Sequence, residues 1–186
     1  QMVEPTFYAP IIPMVLVNGT KGIGTGFSSD VLCYNPKDII ACLKTRLNLT
    51  KEEMETFDID NWGNDMEPYY RGFTGTIGKV SESRYVVKGV YSRTKDKIRV
   101  RELPVGYWTD DFKQHLENLM VKGSKKDNKP PIKDYSDMST DVSVDFTITF
   151  VGGVLDELEK ETHEDGLYNG IEKMLKLYNY QNTTNM

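Results

Sequence analysis

The sequence predicts an α+β fold, an antiparallel sheet packed with several helices. Three observations carry this expectation. Val142, Val144, Phe146, Ile148 and Phe150 alternate with polar residues without a break, which is the period of a half-buried strand. Three short strand-like runs, 74–80, 84–91 and 97–103, follow one another with turn-forming residues between them. Segments with apolar residues at helical spacing lie on both sides of these runs, without the strict alternation of a parallel sheet.

Taken in order, residues 1–13 carry Pro5, Pro10 and Pro13 and read as extended or turning. The apolar run Met14 to Val17 then feeds a glycine-dense turn. Asn35-Pro36 opens a helix, Asn35 as cap and Pro36 as first helical residue, and Ile39, Ile40, Leu43 and Leu47 keep its spacing. Residues 48–70 are acidic and irregular, with one short helix expected over 51–57. The three strand-like runs are expected to pair as a meander. Thr109 is expected to cap a helix with Asp110 and Asp111 in its first turn, where the macrodipole favours acids. Phe112, Leu116, Leu119 and Met120 form its apolar stripe, and Gly123 can end it. Lys122 to Lys133, with Pro130-Pro131, reads as a basic loop. After the alternating strand, Gly152-Gly153 makes a stop, Leu155 and Leu158 begin another helix, and 171–178 favours helix.

The 186 residues allow one or two domains with a real core. A composition of 38% apolar and 27% charged residues is that of an ordinary globular domain. No run approaches the roughly eighteen apolar residues of a membrane-spanning helix, so no membrane partner is expected. The N-terminus lacks a signal-peptide pattern, and Gln1 suggests a piece of a longer chain. Cys33 and Cys42 have no metal-ligand spacing; Cys42 is expected as a buried free thiol in a reducing, intracellular compartment.

The net charge of −5 argues mildly against nucleic-acid binding, but its distribution argues the other way. From Arg71 to Arg101 nine basic residues face two acidic ones, Glu82 and Asp96. Lys122, Lys125, Lys126, Lys129 and Lys133 form a second basic cluster, while acids gather in 52–67 and 134–165. Such sign separation suggests a polarised surface. Lys97, Arg99 and Arg101 would share one face of a strand, roughly 6.5 Å apart, close to the spacing of successive phosphates. A solvated strand face explains them as well, and slightly better.

Other candidate groups are read as structural. His115 and His163 have no partner at metal spacing or triad distance and are expected at the surface. Asp58 and Asp60 form an Asp-x-Asp pair, but in an acidic loop without the strand–turn context a metal site needs. Asn18, Asn48 and Asn182 open chance glycosylation sequons.

The most informative segment is the glycine turn, Val17-Asn-Gly-Thr-Lys-Gly-Ile-Gly-Thr-Gly-Phe27. Ile23 sits between Gly22 and Gly24, with little neighbouring side chain to pack against. A nucleotide loop is disfavoured: the third glycine of a dinucleotide fingerprint would fall at Phe27, and no Gly-Lys-Ser/Thr follows. The residues alone then favour a structural turn with Ile23 folded into the core over a wedge pushed into an outside surface.

Glu4-Pro5, Pro10-Ile-Ile-Pro13, Val17-Asn18-Gly19 and Gly22-Ile-Gly-Thr-Gly26 together closely resemble the type IIA DNA topoisomerases of eukaryotes and large DNA viruses. Tyr70-Arg-Gly-Phe-Thr-Gly-Thr-Ile77 and Glu102-Leu-Pro-Val-Gly-Tyr-Trp-Thr109 are similar to later segments of that family, in the same order. The resemblance runs nearly end to end and implies a DNA-gate fragment of an ATP-dependent enzyme. Residues 1–30 would be the end of its winged-helix region, with a DNA-wedge glycine turn, and 31–186 its tower domain. The nucleophilic tyrosine, the metal-binding acids and the ATPase would lie upstream. Tyr85, though preceded by Arg84, falls on the wrong side of the glycine turn to be that nucleophile and reads as a strand residue.

The resemblance also implies a parent that is a homodimer using Mg2+ and ATP, with no cofactor in this fragment. The partners would be double-stranded DNA and the rest of the topoisomerase chain, and the location the nucleus, or host cell and virion for a viral enzyme. Its implied DNA-contacting residues are Asn18, Lys21, Gly22, Ile23, Gly24 and Thr25, with Ile23 inserted between base pairs and Gly22 and Gly24 allowing close approach. Lys21 departs from the acid often found there and adds positive charge. The other reading, from a different class, is a non-enzymatic α+β binding or scaffold module. It explains the acidic total but not the glycine turn.

Overall fold

The computed structural model describes residues 3–58, 63, 66–122, 130–164 and 166–183. The elements in chain order are α1 (Met14–Asn18), β1 (Thr20–Ile23), β2 (Ser28–Val31), α2 (Pro36–Leu47), α3 (Lys51–Glu55), β3 (Thr76–Ser81), β4 (Arg84–Lys88), β5 (Val90–Thr94) and β6 (Lys97–Glu102). Then come α4 (Thr109–Lys122), β7 (Ile132–Asp137), β8 (Phe146–Phe150), α5 (Val154–Lys160), β9 (Thr162–His163), β10 (Tyr168–Asn169), α6 (Gly170–Leu175) and β11 (Tyr178–Asn182). This is the expected α+β class, and every ladder with a determined register is antiparallel.

The chain forms two compact units, one of 1–71, 79–84 and 182–186, the other of 72–78 and 85–181. In the first, residues 3–13 lack regular structure, as their prolines require. Asn35 caps α2 as its sequence predicts: its side chain accepts from the Lys37 amide at 3.0 Å, with Pro36 in the first turn. Ile39 supplies the buried contact of this helix, whereas Leu47 is exposed. Thr50 and Glu53 close a capping box on α3. Cys42 is partly exposed rather than buried, since Ile39 is the one residue of α2 that is fully covered.

The second unit holds the main core. A four-stranded sheet of order β5-β6-β8-β7 carries Ile98, Val100, Phe146, Ile148, Phe150 and Ile132 on its inner face. Phe112 and Leu116 of α4, Leu155 of α5 and Ile171 and Leu175 of α6 complete the cluster. Phe112 meets Phe146 edge-on, ring centres 5.0 Å apart. A second sheet has the order β11-β4-β3.

The expected meander holds in its pairings, β4 with β3 and β5 with β6, but not as one sheet. The run 84–91 is two strands, and Gly89 between them passes the chain from one sheet to the other. A Cβ at Gly89 would lie 2.3 Å from the Glu102 carbonyl oxygen, so only glycine fits this crossing. The junction is pinned by the Gly89 amide, which donates to the Leu177 carbonyl, and by an ion pair of Lys88 with buried Glu172 at 2.8 Å.

Other expectations are corrected locally. Trp108, not Thr109, provides the carbonyl for the first bond of α4, so Thr109 is already helical. The alternation at Val142 and Val144 does not continue the strand. Thr140 bridges Ser143, their hydroxyls 2.7 Å apart, and Val142 is exposed in the resulting turn. Lys133 belongs to strand β7, not to a loop, and β11 occupies the end of the run 171–178 expected as helix. His115 and His163 are half-buried rather than at the surface: His115 bonds the Met174 carbonyl at 2.7 Å and His163 stacks on Tyr168. Trp62, Asn64 and Asp65, Asp60, Gly123, Lys125, Lys126, Lys129 and Thr184 lie outside the described residues.

Candidate nucleic-acid interface

The glycine turn folds as a β-hairpin. β1 and β2 pair antiparallel, with Thr20 opposite Val31, Lys21 opposite Asp30, Gly22 opposite Ser29 and Ile23 opposite Ser28. The Gly24 amide donates to the Phe27 carbonyl at 2.8 Å, leaving Thr25-Gly26 as a two-residue tip. Gly26 takes φ 91°, the positive value that the second central position of a type II turn requires. The hairpin is not foreseen by the strand patterns, because neither Thr-Lys-Gly-Ile nor Ser-Ser-Asp-Val alternates apolar with polar residues.

Pairing sorts the side chains onto two faces. One bears Lys21, Ile23, Ser28 and Asp30, and a 3.2 Å salt bridge from Lys21 to Asp30 runs across it. The other bears Thr20, Gly22, Gly24, Phe27, Ser29 and Val31. Ile23 is 89% exposed and Phe27 80% exposed. Ile23 is thus not folded into the core of the described residues. Lys21 is exposed, but its charge is shared with Asp30, which lessens the positive field expected of it.

The sequence-predicted residues Lys21, Gly22, Ile23, Gly24 and Thr25 are brought together on and beside the hairpin tip, and all are exposed. Asn18 ends α1 at the base of the hairpin, where its carbonyl accepts from the Cys33 thiol at 3.2 Å. Phe27 is the residue that sequence reasoning passed over; the signal was its place directly after the Thr25-Gly26 turn.

Elsewhere, the basic stretch is largely committed internally. Arg93 is bound to Asp156 and Glu159, and Lys88 to Glu172. Lys97, Arg99 and Arg101 do share the outward face of β6, as expected. Arg99, however, is held by both oxygens of Asp145, its Nε at 2.8 Å, and this bond keeps the Asp145 carboxyl below its ordinary range. The solvated-face reading therefore suits this strand better than a phosphate ladder. Tyr85 is a buried residue of β4. Among the described residues, no group of three or more His, Cys, Asp or Glu side chains is placed to hold a metal ion, and no helix is long and apolar enough to cross a membrane.

The chain is similar to known proteins over its whole length. The family of the DNA gyrase/topoisomerase IV A subunit matches residues 1–186. A DNA topoisomerase 2 of Acanthamoeba polyphaga mimivirus is 35% identical over 99% of this chain and 17% of its own length. The DNA topoisomerase 2 of Pisum sativum is 38% identical over 99% of this chain and 11% of its own. Among solved structures, the topoisomerase II DNA-binding, cleavage and re-ligation domain of Plasmodium falciparum superposes with a TM-score of 0.74 at 34% identity, over 99% of this chain and 22% of that one. The chain spans less than a fifth of the length of these two curated relatives. With a sequence matched from end to end, the chain belongs to the type IIA DNA topoisomerases.

Proposed function

We propose that this chain is the part of a topoisomerase DNA gate that grips and bends the duplex to be cleaved, while the parent enzyme carries out strand passage. The observation that carries the reading is the exposure of Ile23, 89%, on a hairpin tip where glycines flank it on its own strand. A large apolar side chain at a tip gains free energy when a partner covers it, and DNA-bending proteins use such side chains to part a base step. Asn18, Lys21 and Thr25 reach phosphate or sugar beside it, and Gly22 and Gly24 admit the DNA backbone. In this reading residues 1–30 close the winged-helix region and 31–186 form the tower. The parent is a homodimer in the nucleus, or in the host cell and virion if viral. Mg2+, ATP and the nucleophilic tyrosine are supplied by segments of the parent outside this chain, and the partners are double-stranded DNA and the rest of that chain.

The test is plasmid relaxation with ATP and Mg2+. The full-length enzyme relaxes supercoiled DNA, Ile23→Ala slows it, and the isolated chain neither relaxes DNA nor forms a covalent adduct. Relaxation or an adduct by the chain alone overturns the reading, as does an Ile23→Ala enzyme of unchanged rate.

A further inference from the structure

The two faces of the hairpin tip make different demands on whatever covers them. Ile23 lies on one face; Gly22 and Gly24, whose lack of side chains permits close approach, lie on the other. A flat surface can satisfy one face but not both. A partner that uses both must surround the tip, as a groove does. An ordinary two-stranded ribbon is about 10 Å thick with side chains on both faces, too thick for a minor groove about 6 Å wide. The two glycines and Ser29 thin this ribbon on one side. Phe27 is the one large side chain left near the tip on that side.

The Phe27 ring folds across the strand over Gly24: a Cβ built on Gly24 would stand 3.5 Å from the ring edge. The ring therefore lies along the ribbon beside Gly24 rather than projecting from it. The ring stays 80% exposed all the same, so its outer surface has no cover within the chain's described residues. The walls of a DNA groove are deoxyribose rings, whose C–H surfaces suit an aromatic face.

We infer that Phe27 is a second DNA-contacting residue, which packs on the sugar wall of the groove while Ile23 enters the base stack from the opposite face of the same hairpin. This rests on the wedge reading of Ile23 and extends it: one side chain parts the bases, and the other holds the ribbon in the groove that this opens. Phe27 thus sets affinity and Ile23 sets the bend.

The experiment uses the full-length enzyme and a 40-base-pair duplex. A photoreactive benzoylphenylalanine replaces either Phe27 or Ile23, and affinity, bend angle and melting are measured for Phe27→Ala, Phe27→Leu and Ile23→Ala. Position 27 is expected to crosslink to DNA. Phe27→Ala is expected to weaken affinity about tenfold, the loss of a modest buried apolar area, and Phe27→Leu less so. Melting should stay unchanged, because an exposed ring leaves no cavity. Crosslinking from position 23 but not from 27, or crosslinks from 27 only to protein, overturns the inference and leaves the wedge standing. Unchanged affinity in Phe27→Ala does the same. A position 23 that fails to crosslink DNA, with Ile23→Ala bending normally, removes the reading beneath it.

Discussion

Ile23→Ala separates a wedge from a core residue because the same substitution can be made at Ile98, which is fully buried in β6. Ile23 is 89% exposed, so trimming it removes atoms already in water and opens no cavity; the stability change should stay within about 0.5 kcal/mol. At Ile98 the trim costs about 2–5 kcal/mol, the transfer loss plus the cavity. For a chain of this size that is a melting shift of roughly 4–20 °C against less than about 2 °C. In the DNA complex the order reverses. Burying an isoleucine in the base stack gains about 1.5–3 kcal/mol, which offsets part of an unstacking cost of a few kcal/mol. Losing most of it should lower the bent population by roughly tenfold or more. Ile98→Ala should leave bending intact in whatever fraction remains folded. The assay is energy transfer between dyes on the two ends of a duplex bound to the full-length enzyme, beside a thermal melt. A fall of several degrees in Ile23→Ala with bending intact would refute the argument and return Ile23 to the core.

Three further outcomes follow from the second compact unit. Gly89→Ala should destabilise by about 3 kcal/mol, since its Cβ meets backbone it cannot displace, while Gly152→Ala, with open space around it, should be near neutral; equal denaturation midpoints would contradict the crossing. Lys88→Met should cost about 3 kcal/mol in urea unfolding by leaving Glu172 buried without its counter-charge, and adding Glu172→Gln should recover part; a loss under about 1 kcal/mol would mean that the pair is not under strain of burial. His115, held below its ordinary pKa first by burial and then by Lys176, against the bond to the Met174 carbonyl, is neutral when folded. Its contribution is full above the unfolded value near 6.5 and is lost as pH falls through the lower folded value, so stability should drop on acidification below about 6.5. His115→Gln should flatten that slope, and an unchanged slope would assign it elsewhere.

The parts of this fold that are legible in the sequence are those where burial and period coincide. Phe146, Ile148 and Phe150 alternate because one face of β8 is core, and all three are fully buried. Asn35-Pro36 announces α2 because capping chemistry is local. β7 escapes notice because Ile132-Lys-Asp-Tyr-Ser-Asp137 lies at the edge of its sheet, where little more than Ile132 and Tyr135 turns inward. The crossing at Gly89 is invisible for another reason: a strand pattern reports burial, and both sheets bury β-rich residues on either side of it. The candidate site is legible in its residues but not in its form. The glycines and Ile23 stand out, while the hairpin is set by backbone pairing and the turn at Gly26, which leave no apolar pattern.

The sheet crossing at Gly89 has a consequence for how this unit opens. A single residue separates the hydrogen-bonded ends of β4 and β5, so there is no slack to let one sheet fray while the other stays closed. Pulling β4 away strains β5 at once, and the Gly89 amide and Lys88 tie the same point to the chain around α6 and Leu177. Amides of the two sheets should therefore exchange with solvent in one cooperative event rather than in two. A segment that opens as a block is suited to passing force along its length, in place of absorbing it at a hinge.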